Sequence, residues 1–362
     1  MRKRAGRIWF DAKMASKRKV RVAVIGCGVI SDLHLRCFSR NADAEVVAVC
    51  DLVESRAVAA SEKAPGARWS TDAAGVFAAA DVDAVSICTD HASHAALACA
   101  ALDAGKHVLC EKSLARCASD LSKMVSCAGR HPELVAAGVF QHRFEPLPRV
   151  LKGLVAGGAF GDILTATGSL HCFRSADYFR NDAWRGTKAG EGGSVLINQA
   201  IHYFDLLLWI AGGAEAAKAF GANIGHRGVI ETEDTIGIVL KMKSGAVGSF
   251  AATSASERKW ASRLAFHGTK GSVVLENDKL GFLSFSDARA EKRVRAKIEK
   301  ALDAAAKVFP AGKAYYGNGH QAQIDDFIKA VKTGGKPFVS FADAAETDAM
   351  VFAAYASAAR RR

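Results

Sequence analysis

Val22-Ala23-Val24-Ile25-Gly26-Cys27-Gly28-Val29-Ile30-Ser31, continuing into Asp32-Leu33-His34-Leu35, is the stretch that decides the fold. Its apolar, β-rich start reads as a buried strand that stops at Gly26. Two glycines make a tight turn, and a helical pattern follows. Such a junction points backbone N–H groups outward at a helix N-terminus, where the helix dipole favours an anion. Gly26 permits the turn, and Gly28 lets a pyrophosphate approach the backbone next to Val29 and Ile30. Ser31 stands where a third small residue is usual and is small enough for close helix–strand packing. A second β-rich run, Glu45-Val46-Val47-Ala48-Val49-Cys50, ends in Asp51. That acid lies roughly 20 residues beyond the glycines, where a carboxylate would hold a ribose 2′-hydroxyl and repel a 2′-phosphate. No cation follows it until Arg56. The expected cofactor is therefore NAD in preference to NADP.

Working outward, residues 20–140 alternate strand and helix signals, as βαβ units do. Helical patterns at 55–63, 94–104 and 118–129 alternate with strand-like runs at 83–89, 106–111 and 134–140. The pattern reads as a doubly wound parallel sheet, whose ligands collect at the strand C-terminal ends. Those ends carry Gly26, Asp51, Thr89, Glu111, Lys112 and Gln141. From Phe144 the pattern changes, with Pro146 and Pro148 at the boundary and a helix predicted over 149–156. Strand-like runs at 163–172, 235–242, 247–253, 262–268 and 271–276 are separated by Ser, Gly and Thr, which suits an antiparallel sheet. A helix is predicted at 195–211, a charged amphipathic stretch at 287–308, and closing helices at 321–333 and 341–359. The expected fold class is α/β plus α+β, in three parts. Residues 1–18 form a basic, disordered extension. Residues 19–143 form an NAD-binding Rossmann domain. Residues 144–362 form a substrate and oligomerisation domain on a large, mostly antiparallel open sheet, with its last helices packed back on the first domain.

Composition narrows the function. The chain has 362 residues and a net charge of +12. Residues 1–21 contribute nine Lys/Arg against Asp11 alone, and Arg360, Arg361 and Arg362 add three more charges, so the body is close to neutral. Basicity confined to the tails argues against a nucleic-acid partner. No stretch reaches the ~20 apolar residues of a membrane span, so no membrane role is expected. Nine cysteines without a CxxC pair fit a reducing compartment, a cytoplasmic location and no metal site.

Two constellations carry chemistry. Glu111-Lys112 follows a strand at the edge where a nicotinamide would sit. Burial and a neighbouring positive ring both lower a lysine's pKa and ready it to relay a proton. The second is Glu191-Gly192-Gly193-Ser194-Val195-Leu196-Ile197-Asn198-Gln199-Ala200-Ile201-His202-Tyr203-Phe204-Asp205. Asn198 and His202 are i,i+4 and share one helix face, with Asp205 on an adjacent part of it.

With these motifs the chain resembles the glucose–fructose oxidoreductase / inositol dehydrogenase / MocA-like oxidoreductases. Gly26-Cys27-Gly28, Thr89 with His94, Glu111-Lys112, Arg143-Phe144, Trp184-Arg185, Gly192-Gly193 and His202 with Asp205 carry the resemblance. It implies hydride transfer at a sugar, nucleotide-sugar or cyclitol carbinol, with Lys112 and His202 at the reacting hydroxyl and Asn198 beside them. It implies a homodimer or homotetramer through the C-terminal sheet. It also places His94 and Glu111 by the nicotinamide ribose, Gln141, Trp184 and Arg185 by the cofactor, and Arg143 in the substrate cleft. Ser113 and Asn198 depart from the proline and aspartate common in the family. Asparagine orients without bringing charge, which moves the proton toward Lys112. The Asn198-Gln199-Ala200 version looks most like the branch acting on nucleotide-linked 2-acetamido sugars and their uronates. Two rival readings are a non-catalytic NAD- and sugar-binding regulator and an NAD-assisted glycoside hydrolase.

Overall fold

The structure is a computed structural model, and it describes residues 18–306 and 316–359. The basic extension up to residue 17 and the terminal arginines lie outside the described residues.

The chain begins β1 (Val20–Ile25), α1 (Ser31–Arg40), β2 (Ala44–Cys50), α2 (Glu54–Glu62), β3 (Arg68–Ser70), α3 (Ala73–Ala78) and β4 (Ala84–Ile87). It continues with α4 (His91–Asp103), β5 (His107–Cys110), α5 (Ala118–Arg130) and β6 (Ala136–Gly138). The six strands form one parallel sheet in the order β3-β2-β1-β4-β5-β6, doubly wound about β1. Val22, Ala23, Val24, Val85, Ile87, Val108 and Leu109 are buried, as expected where helices cover both faces. The alternation read from sequence is thus the observed one. β3 is too short, at three residues, to carry a periodic signal.

A 3₁₀ turn (Gln141–Phe144) leads to α6 (Pro146–Ala156), which takes a proline in its first turn. Proline fits there because its missing N–H has no intrahelical partner to lose. β7 (Ile163–Phe173) and α7 (Ala176–Arg180) follow, then a π-helical turn (Val195–Gln199) that runs on into α8 (Ile201–Ala211). The predicted single helix is therefore two pieces, marked by Ala200 N donating to the Val195 carbonyl five residues back at 2.8 Å. The chain continues through β8 (Ala214–Ala222), β9 (Thr235–Met242), β10 (Val247–Thr253), β11 (Ala255–Gly268), β12 (Gly271–Glu276) and β13 (Lys279–Phe285). It closes with α9 (Ala288–Ala306), α10 (His320–Thr333) and α11 (Phe341–Ala359).

The second sheet has the order β13-β12-β11-β7-β10-β9-β8. Only β10 and β7 pair in parallel. Strand β9 alternates cleanly: Ile236, Ile238, Leu240 and Met242 are buried, and Val239 is exposed. The buried face packs on α8 and α11. The other face shows Phe220, Val239 and Val247 to solvent. Helix α10 returns to α1, where Gln321 Nε2 donates to the Cys37 carbonyl at 3.1 Å and Asn41 Nδ2 to Asp325 Oδ1 at 2.6 Å. Among the described residues no helix is long and apolar enough to cross a membrane.

Candidate active site

A cavity of about 1070 Å³ runs from the glycine turn after β1 to the π turn before α8. Gly26, Gly28, Val29, Ile30, Asp51 and Thr89 line one end, and Glu111, Lys112, Gln141, Asn198 and His202 the other. Trp184 and Arg185 also line it. Gly26 has φ +88°, and a Cβ there would meet the Cys88 carbonyl at 2.8 Å. Any side chain would be strained at that angle and would press on β4. At Gly28 a Cβ would meet nothing within 4 Å, so the backbone is open to the cavity. Asp51 is oriented from both sides: its Oδ2 accepts from Cys27 N and its Oδ1 from Val53 N, each at 2.8 Å. Ser31 is buried and donates from Oγ to the Gly28 carbonyl at 2.6 Å, which holds the turn on the helix. Asp90 caps α4 by accepting from Ser93 N at 3.1 Å. These features fit a dinucleotide: an open glycine turn for the pyrophosphate and a fixed carboxylate for the ribose.

At the other end, Lys112 follows β5 and reaches across to the π turn. Its Nζ donates to Asn198 Oδ1 at 2.8 Å and to the Asn198 carbonyl at 2.9 Å. Burial brings its pKa down to about 8; Glu111 and Glu191 work against that, and Arg185 and Arg174 with it. Asn198 Nδ2 in turn donates to Glu191 Oε1. Glu191 is fully buried, also accepts from Gly186 N at 2.5 Å, and is pushed up by burial to about 7. Lys112, Asn198 and Glu191 thus form one hydrogen-bonded chain.

His202 shares the cavity wall with Asn198. Burial first, then His142, Lys112 and His320, hold its pKa well below the usual histidine range, so it is a neutral imidazole. Its Nε2 lies 3.4 Å from Gln141 Nε2, and its Nδ1 is buried without a hydrogen-bond partner. Glu111 lies beneath. Burial would raise its pKa, but the bond from His34 Nε2 to Oε1 at 2.9 Å outweighs that and holds it down at about 2.

The loop after Lys112 is held from the far end of the chain. The Lys112–Ser113 peptide is cis. Ser113 Oγ donates to Asp348 Oδ1 and Leu114 N to Asp348 Oδ2, both at 2.8 Å. The start of the π turn is fixed by Glu233, whose Oε1 accepts from Ser194 N and Leu196 N at 3.2 Å and from Tyr355 Oη at 2.7 Å. At Gly192, with φ +83°, a Cβ would strike the Arg116 carbonyl.

Two expected residues do not line the cavity. Arg143 is buried in a bidentate pair with Asp205, with Nε 2.9 Å from Oδ2 and Nη2 2.5 Å from Oδ1, and it lies over the Phe140 and Trp209 rings. Asp205 also accepts from Thr347 Oγ1 at 2.6 Å. This is a structural ion pair, since a buried guanidinium needs its partner. His94 is also fully buried, with Nδ1 2.8 Å from the Ser113 carbonyl and Nε2 3.2 Å from the Thr89 carbonyl. It ties two cavity loops together. His91, one turn earlier, is the histidine of α4 that lines the cavity. Sequence reasoning also missed Arg174, Tyr178, Trp260 and His320 on the wall. Arg174 lies over the Tyr178 and Trp260 rings, and Arg185 over Tyr178 at 4.1 Å and Trp184 at 5.0 Å.

Comparison with known proteins fits this geometry. Residues 20–139 match the family model described as "Oxidoreductase family, NAD-binding Rossmann fold", and residues 149–274 match the "GFO/IDH/MocA C-terminal domain". The chain belongs to the GFO/IDH/MocA oxidoreductase family. Members similar to it include the levoglucosan dehydrogenase of Pseudarthrobacter phenanthrenivorans, 30% identical over 73% of this chain and 74% of the relative. The myo-inositol 2-dehydrogenase of Thermotoga maritima is 26% identical over 90% of this chain and 92% of its own. Among solved GFO/IDH/MocA-like structures is the WlbA dehydrogenase from Chromobacterium violaceum in complex with NADH and UDP-GlcNAcA. It is 28% identical, covers 95% of each chain and superposes with a TM-score of 0.85. As a GFO/IDH/MocA member the chain is an NAD-binding oxidoreductase, a dehydrogenase acting on CH–OH groups.

Proposed function

We propose that the chain catalyses hydride transfer between NAD and a carbinol carbon of a sugar, nucleotide sugar or cyclitol, with Lys112 as the proton relay. The observation that carries this reading is the convergence of Lys112, Asn198 and His202 at one end of the cavity whose other end holds the glycine turn and Asp51. NAD, when bound, supplies the hydride acceptor or donor. Gly26, Gly28, Val29 and Ile30 would hold its pyrophosphate and Asp51 its adenosine ribose. Neutral Lys112 takes the hydroxyl proton onto Nζ as the alcohol is oxidised. The two Asn198 oxygens hold the ammonium that forms. A pKa near 8 suits this task, because the best relay titrates near the working pH. His202, neutral and with a ring nitrogen to spare, positions the hydroxyl.

Within that class the cavity favours an anionic substrate. Arg174 and Arg185 sit on its wall with Tyr178, Trp184 and Trp260. Arginines backed by aromatic rings bind phosphate or carboxylate groups while the rings receive sugar and base faces. The similarity to a dehydrogenase solved with UDP-GlcNAcA supports a nucleotide-linked uronate. The test is NADH formation with a panel of UDP-sugars, UDP-uronates, inositols and anhydrosugars. Oxidation of a UDP-uronate ahead of neutral substrates is the expected result. Oxidation of neutral cyclitols alone removes the anionic reading, and oxidation of none removes the proposal.

The sheet face that exposes Phe220, Val239 and Val247 is the one fitted to a second copy of the chain. Light scattering of the wild type against Phe220→Asp checks this: a dimer or tetramer is expected, and a monomeric wild type contradicts it. All nine cysteines are free thiols, which supports a cytoplasmic location.

A further inference from the structure

Outside the cavity, α4 and α5 pack side by side and bring together four metal-ligating side chains. Cys99 and Asp103 are i,i+4 in the last turns of α4. Cys127 and His131 are i,i+4 at the end of α5, His131 being its C-cap. Asp103 Oδ1 lies 2.8 Å from His131 Nε2 and 3.9 Å from Cys127 Sγ. The ligand atoms of these three residues all lie within 4.8 Å of one another. Cys99 stands beside them: Cys127 Sγ lies 3.9 Å from the Cys99 carbonyl, and the Cys99 thiol points to the Lys123 carbonyl at 4.0 Å. None of the four lines the large cavity.

We propose that Asp103, Cys127 and His131 form the preassembled part of a tetrahedral site for a divalent transition metal of the zinc class, with the Cys99 thiol turning in from the Lys123 carbonyl as the fourth ligand and cross-linking α4 to α5. Zinc takes sulfur at about 2.3 Å and nitrogen or oxygen at about 2.0–2.2 Å, so its ligand atoms stand about 3.4–3.8 Å apart. The Cys127–Asp103 distance is within a few tenths of an ångström of that range. The Asp103–His131 hydrogen bond opens by about half an ångström when a metal replaces the shared proton. Two thiolates and an imidazole select zinc over magnesium or calcium, which prefer oxygen.

The surroundings favour a cation. Both pairs sit at helix C-termini, the negative ends of two helix dipoles. Glu133 Oε1 lies 3.6 Å from His131 Nδ1, on the side away from Asp103. A carboxylate behind the second ring nitrogen orients a metal-bound histidine and raises its basicity. Arg130 Nη2, 3.6 Å from Asp103 Oδ1, is an opposing charge, and its side chain is 59% exposed and able to turn to water. The sequence conceals this site, because its spacing is two helical i,i+4 pairs 28 residues apart and not a CxxC.

The test uses the full-length chain, reduced and stripped of metal, titrated with Co²⁺ and then Zn²⁺. One equivalent of Co²⁺ is expected to give a thiolate-to-cobalt charge-transfer band with tetrahedral d–d bands, and zinc to displace it. Zinc is also expected to raise the unfolding midpoint, because it binds only the folded chain. Cys99→Ser and His131→Ala, at partly exposed positions, are each expected to lose the band. Each is also expected to weaken zinc binding by at least ~100-fold against a chromophoric chelator. NADH binding is expected to be unchanged in both, which separates a lost metal site from a lost fold. Absence of the band in the wild type overturns the proposal. So does its persistence in both variants, or a Cys99–Cys127 disulfide in protein that takes up no metal.

Discussion

Lys112 Nζ lies 2.8 Å from Asn198 Oδ1, a neutral acceptor. The asparagine accepts hydrogen bonds from the ammonium without adding negative charge. Burial therefore prevails, and the lysine titrates at about 8. On the proposed relay, in which the deprotonated amine is the base, kcat/KM for alcohol oxidation should rise with pH and level off above about 8. Carbonyl reduction, which needs the ammonium, should fall over the same range. Steady-state profiles in both directions check this. A flat profile between pH 6 and about 9 contradicts it.

Glu191 lies behind Asn198 and raises the Lys112 pKa through its charge. Glu191→Gln removes that charge and disturbs the acceptor that orients the Asn198 amide. The acid limb of the oxidation profile should move to lower pH, and kcat should fall several-fold. A loss of activity without movement of the limb would make Glu191 only a packing group.

Asp51 is predicted to set cofactor choice. Asp51→Ala removes the proposed ribose acceptor and, with it, the repulsion of a 2′-phosphate. The ratio of kcat/KM for NAD to that for NADP should drop by at least ~10-fold, equivalent to about 1.4 kcal/mol. An unchanged ratio would show that selectivity lies elsewhere.

Arg143 and Asp205 give a stability prediction. Asp205→Ala leaves the guanidinium buried and unpaired, which costs about 3–5 kcal/mol. Urea unfolding should show a lower midpoint with an unchanged slope. A loss below about 1 kcal/mol would mean that water reaches the site.

The parts legible in sequence were those encoded by neighbours in the chain. The turn at Gly26, the acid at Asp51 and the Asn198–His202 pair each rest on spacing within one or two elements, and all line the cavity. What was hidden depends on partners far along the chain. Arg143 looked like a cleft residue because nothing local reveals that Asp205, 62 residues on, neutralises it. Asp348 holds the loop after Lys112 from 234 residues away. Strand β8, Ala-Glu-Ala-Ala-Lys-Ala-Phe-Gly-Ala, is built, Phe220 apart, from residues with no strand preference, and it is strand because β9 pairs with it. His94 and His91 lie on the same short helix, and only packing decided which of them lines the cavity.

The central claim is that Lys112 relays the proton, and the most direct measurement is turnover of Lys112→Met on the best substrate from the panel, with NADH binding followed in parallel. Loss of general acid–base help typically costs ~10²–10⁴-fold. The account predicts a fall in kcat of that size, no remaining rise with pH through 8, and NADH affinity within a few-fold of wild type. Turnover within a few-fold of wild type, with its pH dependence intact, would contradict it.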